Sequence, residues 1–372
     1  MPKKSASPKR SASRKPARRP ATARKSTAKP TRKTANTRKA APRRTTRAPR
    51  PVVVDLHAHL VMPEILATTY EHSLFAKSSQ KARPDGKPEQ MPEDQMRQIT
   101  DMAVRFKHMD ERGIDIQVVS PSILHQCTYM LDDQQALELD RRSNELVAET
   151  VARHPDRLVG LGTVPLQNAQ AAAQELERAM NSLGLKGVII ASNVNGIDLG
   201  DPRHRPFWAK AQQLGAALFI HPAGNADARM VKHRMLISLG QPLEETFAIS
   251  SLVYDGVMDE FPGLKIVVAH GGGFLPYYAG RYDWIHRSGH SPQLKDEFST
   301  YLQRFWYDSV IFNPDMLEFL AAKVPASHIM LGTDFPFGEN RPVEFVRRAK
   351  LPRVLQDDIL GRNAARFLGI EI

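Results

Sequence analysis

Cysteine is almost absent: Cys127 is the one cysteine in 372 residues. No intramolecular disulfide can form, which points to a reducing compartment such as the cytoplasm. Cys127 itself reads as a small buried apolar residue rather than a nucleophile. No apolar run reaches transmembrane length, so no membrane-spanning helix is expected. The first 50 residues lack one sign of charge altogether, with nineteen Lys and Arg and no Asp or Glu. Up to Pro51 they also lack Leu, Ile, Val, Phe, Tyr and Trp. Such a segment has nothing to bury against the entropy of ordering, so residues 1–51 are expected to form a disordered Lys/Arg/Ala/Pro-rich tail. The missing aliphatics exclude the apolar region of a secretory signal and the amphipathic face of a mitochondrial transit peptide. What is left is a linker-histone-like composition. It suits salt-dependent, sequence-independent contact between residues 1–50 and nucleic acid or another polyanion, or else a merely solvated extension.

Taking the tail's nineteen basic residues from the chain's 52 leaves 33 against 40 acidic ones. The net charge of +12 therefore belongs to the tail. Residues 52–372 are long enough for one large domain with its own core. Within them apolar or β-branched runs recur at 52–59, 114–122, 158–165, 185–192, 217–221, 264–270, 305–312 and 329–334. Segments of helical period lie between them, at 96–112, 132–154, 168–183, 206–214 and 243–260. Strands alternating with helices pair in parallel. Eight such units argue for an α/β fold of the (β/α)8 TIM-type barrel class, with a doubly wound open sheet as the alternative. Residues 60–95 break the alternation, being long, polar and interrupted by Pro84, Pro88 and Pro92. They are expected to be an insertion loop that serves as a lid, a binding loop or a partner-facing segment.

Barrel chemistry sits where strands end. Here the first strand ends on His57 and His59, two apart and so on one face. The fifth ends on His221, the sixth on His270 before three glycines, and the eighth on Asp334. Any one of these could be an ordinary hydrogen-bonded strand end; all of them on one face make a site. His57, His59, His221 and Asp334 offer three nitrogens and one oxygen. That set suits one divalent ion, Zn²⁺ first, with Mn²⁺, Fe²⁺ and Co²⁺ also compatible, and leaves a position for water. His270 is then left to act as acid or base, and the glycines after it let the backbone pass close to a ligand. No strand-end lysine suggests a carbamylated bridge between two metals.

Together these stretches resemble the amidohydrolase superfamily. Within it they are similar to the amidohydrolase-related branch, whose type enzyme is 2-amino-3-carboxymuconate-6-semialdehyde decarboxylase. The resemblance spans nearly all of 52–372. It is carried by D-L-H-A-H-L-V-M-P-E, M-D-E-R-G-I-D-I-Q-V-V-S-P-S, F-I-H-P-A-G, A-H-G-G-G-F-L-P-Y-Y-A-G-R-Y-D, F-W-Y-D-S and L-G-T-D-F-P-F. It implies a TIM-type barrel, one divalent metal and non-oxidative decarboxylation of an unsaturated or aromatic carboxylic acid. His57, His59, His221 and Asp334 match the metal ligands, and His270 matches the histidine that activates the metal's water. Arg281 matches an arginine that enters the neighbouring subunit's site and binds substrate carboxylate, which implies a homodimer. Arg105 matches a second carboxylate-binding arginine. The basic tail and the length of the 60–95 segment are foreign to the type enzyme. A metal-dependent hydrolase or hydratase on the same scaffold is the alternative activity. A polyanion-binding protein acting through its tail is the alternative of another class.

Overall fold

Val52 and Val53 lead the chain into its first strand, β1 (Val54–Leu60), in which every residue is buried. A strand covered on both faces is written as a nearly continuous apolar run. Here Asp55, His57 and His59 interrupt it and share one face. The computed structural model describes residues 50–73, 76–77, 91–224 and 227–372. Apart from Arg50 and Pro51, the tail expected at 1–51 lies outside these residues, as does most of 74–90 within the expected insertion. Residues Arg50–Ile372 form one structural unit.

Each of the eight apolar runs has become a parallel strand. β1, β2 (Ile116–Pro121) and β3 (Leu158–Gly160) form one sheet in that order. β4 (Gly187–Ala191) begins the second sheet. A short antiparallel hairpin follows, β5 (Asn193–Val194) and β6 (Ile197–Asp198), turning through Asn195 and Gly196 at positive φ. β7 (Ala217–His221), β8 (Lys265–Val268), β9 (Trp306–Asp308) and β10 (Ile329–Met330) complete the second sheet, in the order β10-β9-β8-β7-β4. Gly187 is required where β4 meets β7, because a Cβ there would stand 1.9 Å from the Ala217 carbonyl oxygen. The two sheets touch at parallel bridges, Gly162 with Val188 and Ala58 with Phe335. Leu56 N–H donates to the Leu331 carbonyl (2.8 Å) and Ile189 N–H to that of Gly162 (2.9 Å). The fold is thus α/β with parallel sheets.

The helices follow their strands. α1 (Pro63–Thr69), α2 (Glu93–Thr100) and α3 (Met102–Arg112) lie between β1 and β2. Two expectations need correction here. The segment at 60–95 is not loop throughout, since Pro63 starts α1 at a position where a missing N–H costs nothing. The single helix expected over 96–112 is two, because Asp101 leaves helical geometry and its side chain caps Ala103 and Val104 N–H. α4 (Asp133–Arg153) is capped by Asp132, and α5 (Ala169–Asn181) by Asn168. α6 (Arg205–Leu214), α7 (Gln241–Tyr254), α8 (Leu275–Arg287), α9 (Pro314–Lys323), α10 (Pro342–Arg348) and α11 (Asn363–Leu368) follow, with shorter helical turns between them. The expected helix over 243–260 breaks at Gly256, which is left-handed. Phe219, Ile220, Val267 and Val268 are fully buried in the core. Each such side chain contributes roughly 1.5–3 kcal/mol by leaving water. Among the described residues, no helix is long and apolar enough to cross a membrane.

Candidate metal centre

The C-terminal ends of β1, β7 and β8 and the turn after β10 converge. One donor atom each from His57, His59, His221 and Asp334 lies within 4.8 Å of the others. The three histidine rings stand 4.9 to 5.2 Å apart, centroid to centroid. Asp334 Oδ1 is 2.8 Å from His59 Nε2 and 3.3 Å from His57 Nε2. Asp334 holds φ at 54°, a conformation that costs a non-glycine residue free energy and is kept where the surroundings impose it.

The imposing groups are behind the ligands. Asp55, fully buried, accepts from Thr333 N–H (2.9 Å), Thr333 Oγ1 (2.6 Å) and Gln117 Nε2 (2.9 Å). The residue before Asp334 is thereby tied to the first strand. Burial raises the Asp55 pKa, against these hydrogen bonds. His57 Nδ1 donates to Asp308 Oδ2 (2.6 Å), and His221 Nδ1 donates to the Pro222 carbonyl (2.8 Å). Each bond fixes a tautomer and turns the Nε2 lone pair toward the site.

The arrangement fits a metal ion on its own chemistry. His57 Nε2, His59 Nδ1 and His221 Nε2 are buried and have no hydrogen-bond partner. His57 Nε2 and His221 Nε2, orphaned beside the carboxylate that His59 Nε2 also meets, are costly to leave unpaired unless something else binds there. Burial and the neighbouring imidazoles hold His221 well below its ordinary pKa, and burial lowers His59, so both are neutral and able to ligate. Burial would lower His57 too, but the Asp334 and Asp308 carboxylates outweigh it and raise it to about 9. Burial would raise Asp334, but the surrounding imidazoles hold it well below the usual carboxylate range.

His270 stands beside this group without joining it. Its Nε2 is 3.8 Å from Asp334 Oδ2, and its Nδ1 donates to Glu245 Oε1 in a very short bond. Burial works to lower the His270 pKa, but Glu245 and Asp334 carry it well above its ordinary value. Glu245 is fully buried, and that burial pushes it up to about 7. α7 can bring Glu245 this close because residue 273 is glycine. A Cβ there would meet the Pro242 carbonyl oxygen at 2.2 Å and Glu245 Cβ at 3.2 Å.

A cavity of about 850 Å³ opens from Asp334. Its walls are largely apolar, with Leu66, Met96, Leu124 and Phe337 among them. His125 stacks on Phe337, and burial lowers its pKa to about 4, so it is neutral.

The two arginines singled out from the sequence are not part of this cavity's lining. Arg105 is fully buried. It donates to Gln117 Oε1 and to the His59 carbonyl, both at 2.6 Å, and lies over the Phe335 ring. These bonds tie α3 to β1 and β2 behind the candidate ligand His59, and Arg105 Nε is left buried without a hydrogen-bond partner. Burial lowers its pKa to about 9, which still leaves it charged at neutrality. Arg281 is exposed on α8 and has no ion pair among the described residues. Asp283, its nearest acidic neighbour in sequence, is buried and accepts from Ser299 N–H instead. Asp308 and Glu245 were not anticipated from the sequence.

Comparison with known proteins agrees with this geometry. The amidohydrolase family model matches residues 54–370. The 2-amino-3-carboxymuconate-6-semialdehyde decarboxylase of Dictyostelium discoideum is 35% identical over 280 residues, 73% of this chain and 77% of the relative. The gamma-resorcylate decarboxylase of Rhizobium radiobacter is 31% identical over 257 residues, 63% of this chain and 76% of the relative. The crystal structure of 5-carboxyvanillate decarboxylase from Sphingomonas paucimobilis superposes with a TM-score of 0.78 at 27% identity, covering 86% of this chain and 99% of that one. By the family model, the sequence relatives and the shared fold, this chain belongs to the amidohydrolase family.

Proposed function

We propose that the chain is a metal-dependent, non-oxidative decarboxylase of an aromatic or otherwise conjugated carboxylic acid. One observation carries this reading. Three imidazoles and the Asp334 carboxylate converge where a largely apolar cavity opens at Asp334, beside a histidine that its own carboxylate keeps protonated. His57, His59, His221 and Asp334 would hold the ion, with Zn²⁺ suiting three nitrogens and one oxygen. Bound there, the metal supplies Lewis-acid polarisation of a substrate oxygen.

The chain's own groups do the rest. The apolar walls take the conjugated ring and exclude water. His270, held at Nδ1 by Glu245, has only Nε2 to present, so proton transfer is assigned to that atom. The bond to the carboxyl carbon breaks, CO₂ leaves, and the carbon left behind takes the proton from His270 Nε2. Glu245 keeps the imidazole oriented while the proton moves, as a carboxylate behind a catalytic histidine does elsewhere.

The same reading includes a barrel formed by residues 52–372 and closed through the two bridges described above. It also includes a homodimer. Tyr278, Arg281 and Trp284, three apart along α8, are all exposed, with Tyr278 at 60% and Trp284 at 57%. A second copy seated there would cover the aromatics and could bring Arg281 to its partner's site. The single cysteine fits a cytoplasmic setting.

The test is CO₂ release from a panel of hydroxybenzoates and conjugated diacids by protein reconstituted with Zn²⁺ or Mn²⁺. Metal-dependent release supports decarboxylation. Silence from metal-loaded protein transfers the assignment to hydrolysis or hydration, with lactones and amides as the next panel. For the dimer, Arg281→Ala and Asp334→Ala chains are mixed. Recovered activity supports a shared site, and none from verified heterodimers removes it.

A further inference from the structure

Gln241 lines the same cavity as Asp334 and is buried, at 7% exposed. The other buried, uncharged polar side chain in that lining is His125, whose Nδ1 is bonded to Ser122 Oγ at 2.8 Å. The Gln241 carboxamide, by contrast, makes no hydrogen bond among the described residues. It has two donor hydrogens and an acceptor oxygen to place. Leu66, Met96, Ile237 and Phe337, in the same lining, give it no side-chain partner. A buried amide is costly to leave unpaired, so a ligand that meets it gains by doing so.

The backbone that carries it is held. The π-helical turn Leu236–Gly240 runs without a break into α7, and Gln241 N–H donates to the Leu236 carbonyl across it. Single π-helical turns of this kind are frequent at functional sites. Gln241 therefore spends its main chain on the fold and keeps its side chain uncommitted. Glu245 lies four residues on, on the same face of α7 and about 6 Å further along the axis. One helix face thus carries both the carboxylate that orients His270 and, one turn away, a carboxamide at the cavity wall.

We propose that Gln241 is a specificity-determining residue whose carboxamide hydrogen-bonds an uncharged hydroxyl on the substrate ring, on the edge away from the carboxylate that is lost. This rests on the decarboxylase reading above and adds to it a group that reads polarity rather than charge. The scissile end must reach Asp334 and His270, and the ring then lies along α7 with its far edge at Gln241. A hydrogen or a methyl group at that edge leaves the carboxamide unpaired. A carboxylate there would give up its hydration for one neutral amide. A hydroxyl costs little to desolvate and pairs with either end of the carboxamide.

Four inert probes isolate the contact. In each, a nitro group beside a phenol imitates the carboxylate but cannot leave as CO₂. Nitrohydroquinone and 4-nitroresorcinol carry a second hydroxyl. The probes 4-methyl-2-nitrophenol and 5-methyl-2-nitrophenol carry a methyl group at the corresponding ring positions. Binding of each to full-length, Zn²⁺-reconstituted protein is measured by calorimetry. The wild type should hold at least one hydroxyl probe about three- to tenfold tighter than its methyl partner, the range of a neutral hydrogen bond. Gln241→Met keeps an unbranched, helix-compatible side chain and removes both hydrogen-bonding ends. It should abolish that preference without weakening the methyl probe. Methyl probes that match both hydroxyl partners in the wild type, or a preference that survives in a folded Gln241→Met protein, overturn the assignment and leave the decarboxylase reading standing. If no probe binds the metal-loaded wild type, the reading of the site itself falls and the role of Gln241 falls with it.

Discussion

Asp308→Asn keeps the size of a buried side chain and changes which proton faces His57. Asp308 Oδ1 accepts from the backbone N–H groups of Gly271 and Val310, both at 3.1 Å, while Oδ2 accepts from His57 Nδ1 at 2.6 Å. An asparagine has only one oxygen to offer. If that oxygen stays with the two backbone donors, the amide NH₂ faces His57 and is satisfied only by a lone pair on Nδ1. The ring proton then moves to Nε2, the atom otherwise left for the metal. The opposite amide orientation would set NH₂ against two backbone donors and lose two hydrogen bonds to keep one, so the first arrangement wins. Disrupting the group that orients a ligating imidazole costs about ten- to a hundredfold in metal affinity. That corresponds to roughly 1.4–2.7 kcal/mol. The assay is competition for Zn²⁺ against a chromophoric chelator, with circular dichroism and a melting curve as controls. A folded Asp308→Asn protein with wild-type Zn²⁺ affinity would falsify the tautomer argument.

Four further outcomes are expected. His270→Ala should keep the metal and lose turnover by about 10²–10⁴-fold, the range for an acid–base group; loss of metal in step with activity would make His270 a ligand instead. Glu245→Gln should retain metal and KM but lower kcat, because the amide still accepts from Nδ1 without balancing the imidazolium charge; an unchanged kcat removes Glu245 from the mechanism. His57, raised to about 9, carries a proton at neutral pH that metal must displace. Loading at pH 7 should therefore release about one proton from His57, and affinity should climb as pH rises toward 9; calorimetry in buffers of different ionisation enthalpy counts the protons, and zero release contradicts the assignment. If the intact chain binds DNA at low salt, deleting residues 1–50 should abolish that binding and leave turnover unchanged; DNA affinity that outlasts the deletion would move that surface onto residues 52–372.

The eight strands were legible because a strand covered on both faces leaves a continuous apolar run, and each run did become a strand. Candidate ligands were legible for the same reason: His221 and Asp334 close such runs. Asp308 obeys the same rule and still escaped it. β9 is only Trp306–Asp308, and the apolar residues Val310, Ile311 and Phe312 continue past its end, so the run read as one strand through residue 312. Glu245 left no sign at all. A glutamate inside a helix reads as a solvated face, and only the packing of α7 on the glycine turn shows it to be buried. Arg105 shows the opposite difficulty. Its charge gave no sign of its burial, where its guanidinium donates to Gln117 and to the His59 carbonyl. The break at Asp101 was visible in principle, since an aspartate before an apolar-periodic segment is a helix-start signal.

The tie from Asp55 to Thr333 joins residues 278 positions apart in the chain. During synthesis, therefore, a nascent polypeptide exposes His57 and His59 long before Asp334 exists. Two imidazoles on a half-made sheet form a weak, unselective site open to whatever ion is abundant. Selective loading must wait until the last strand reaches the first. If the ion enters at that moment, swapping the available ion during expression should change which metal the purified protein carries.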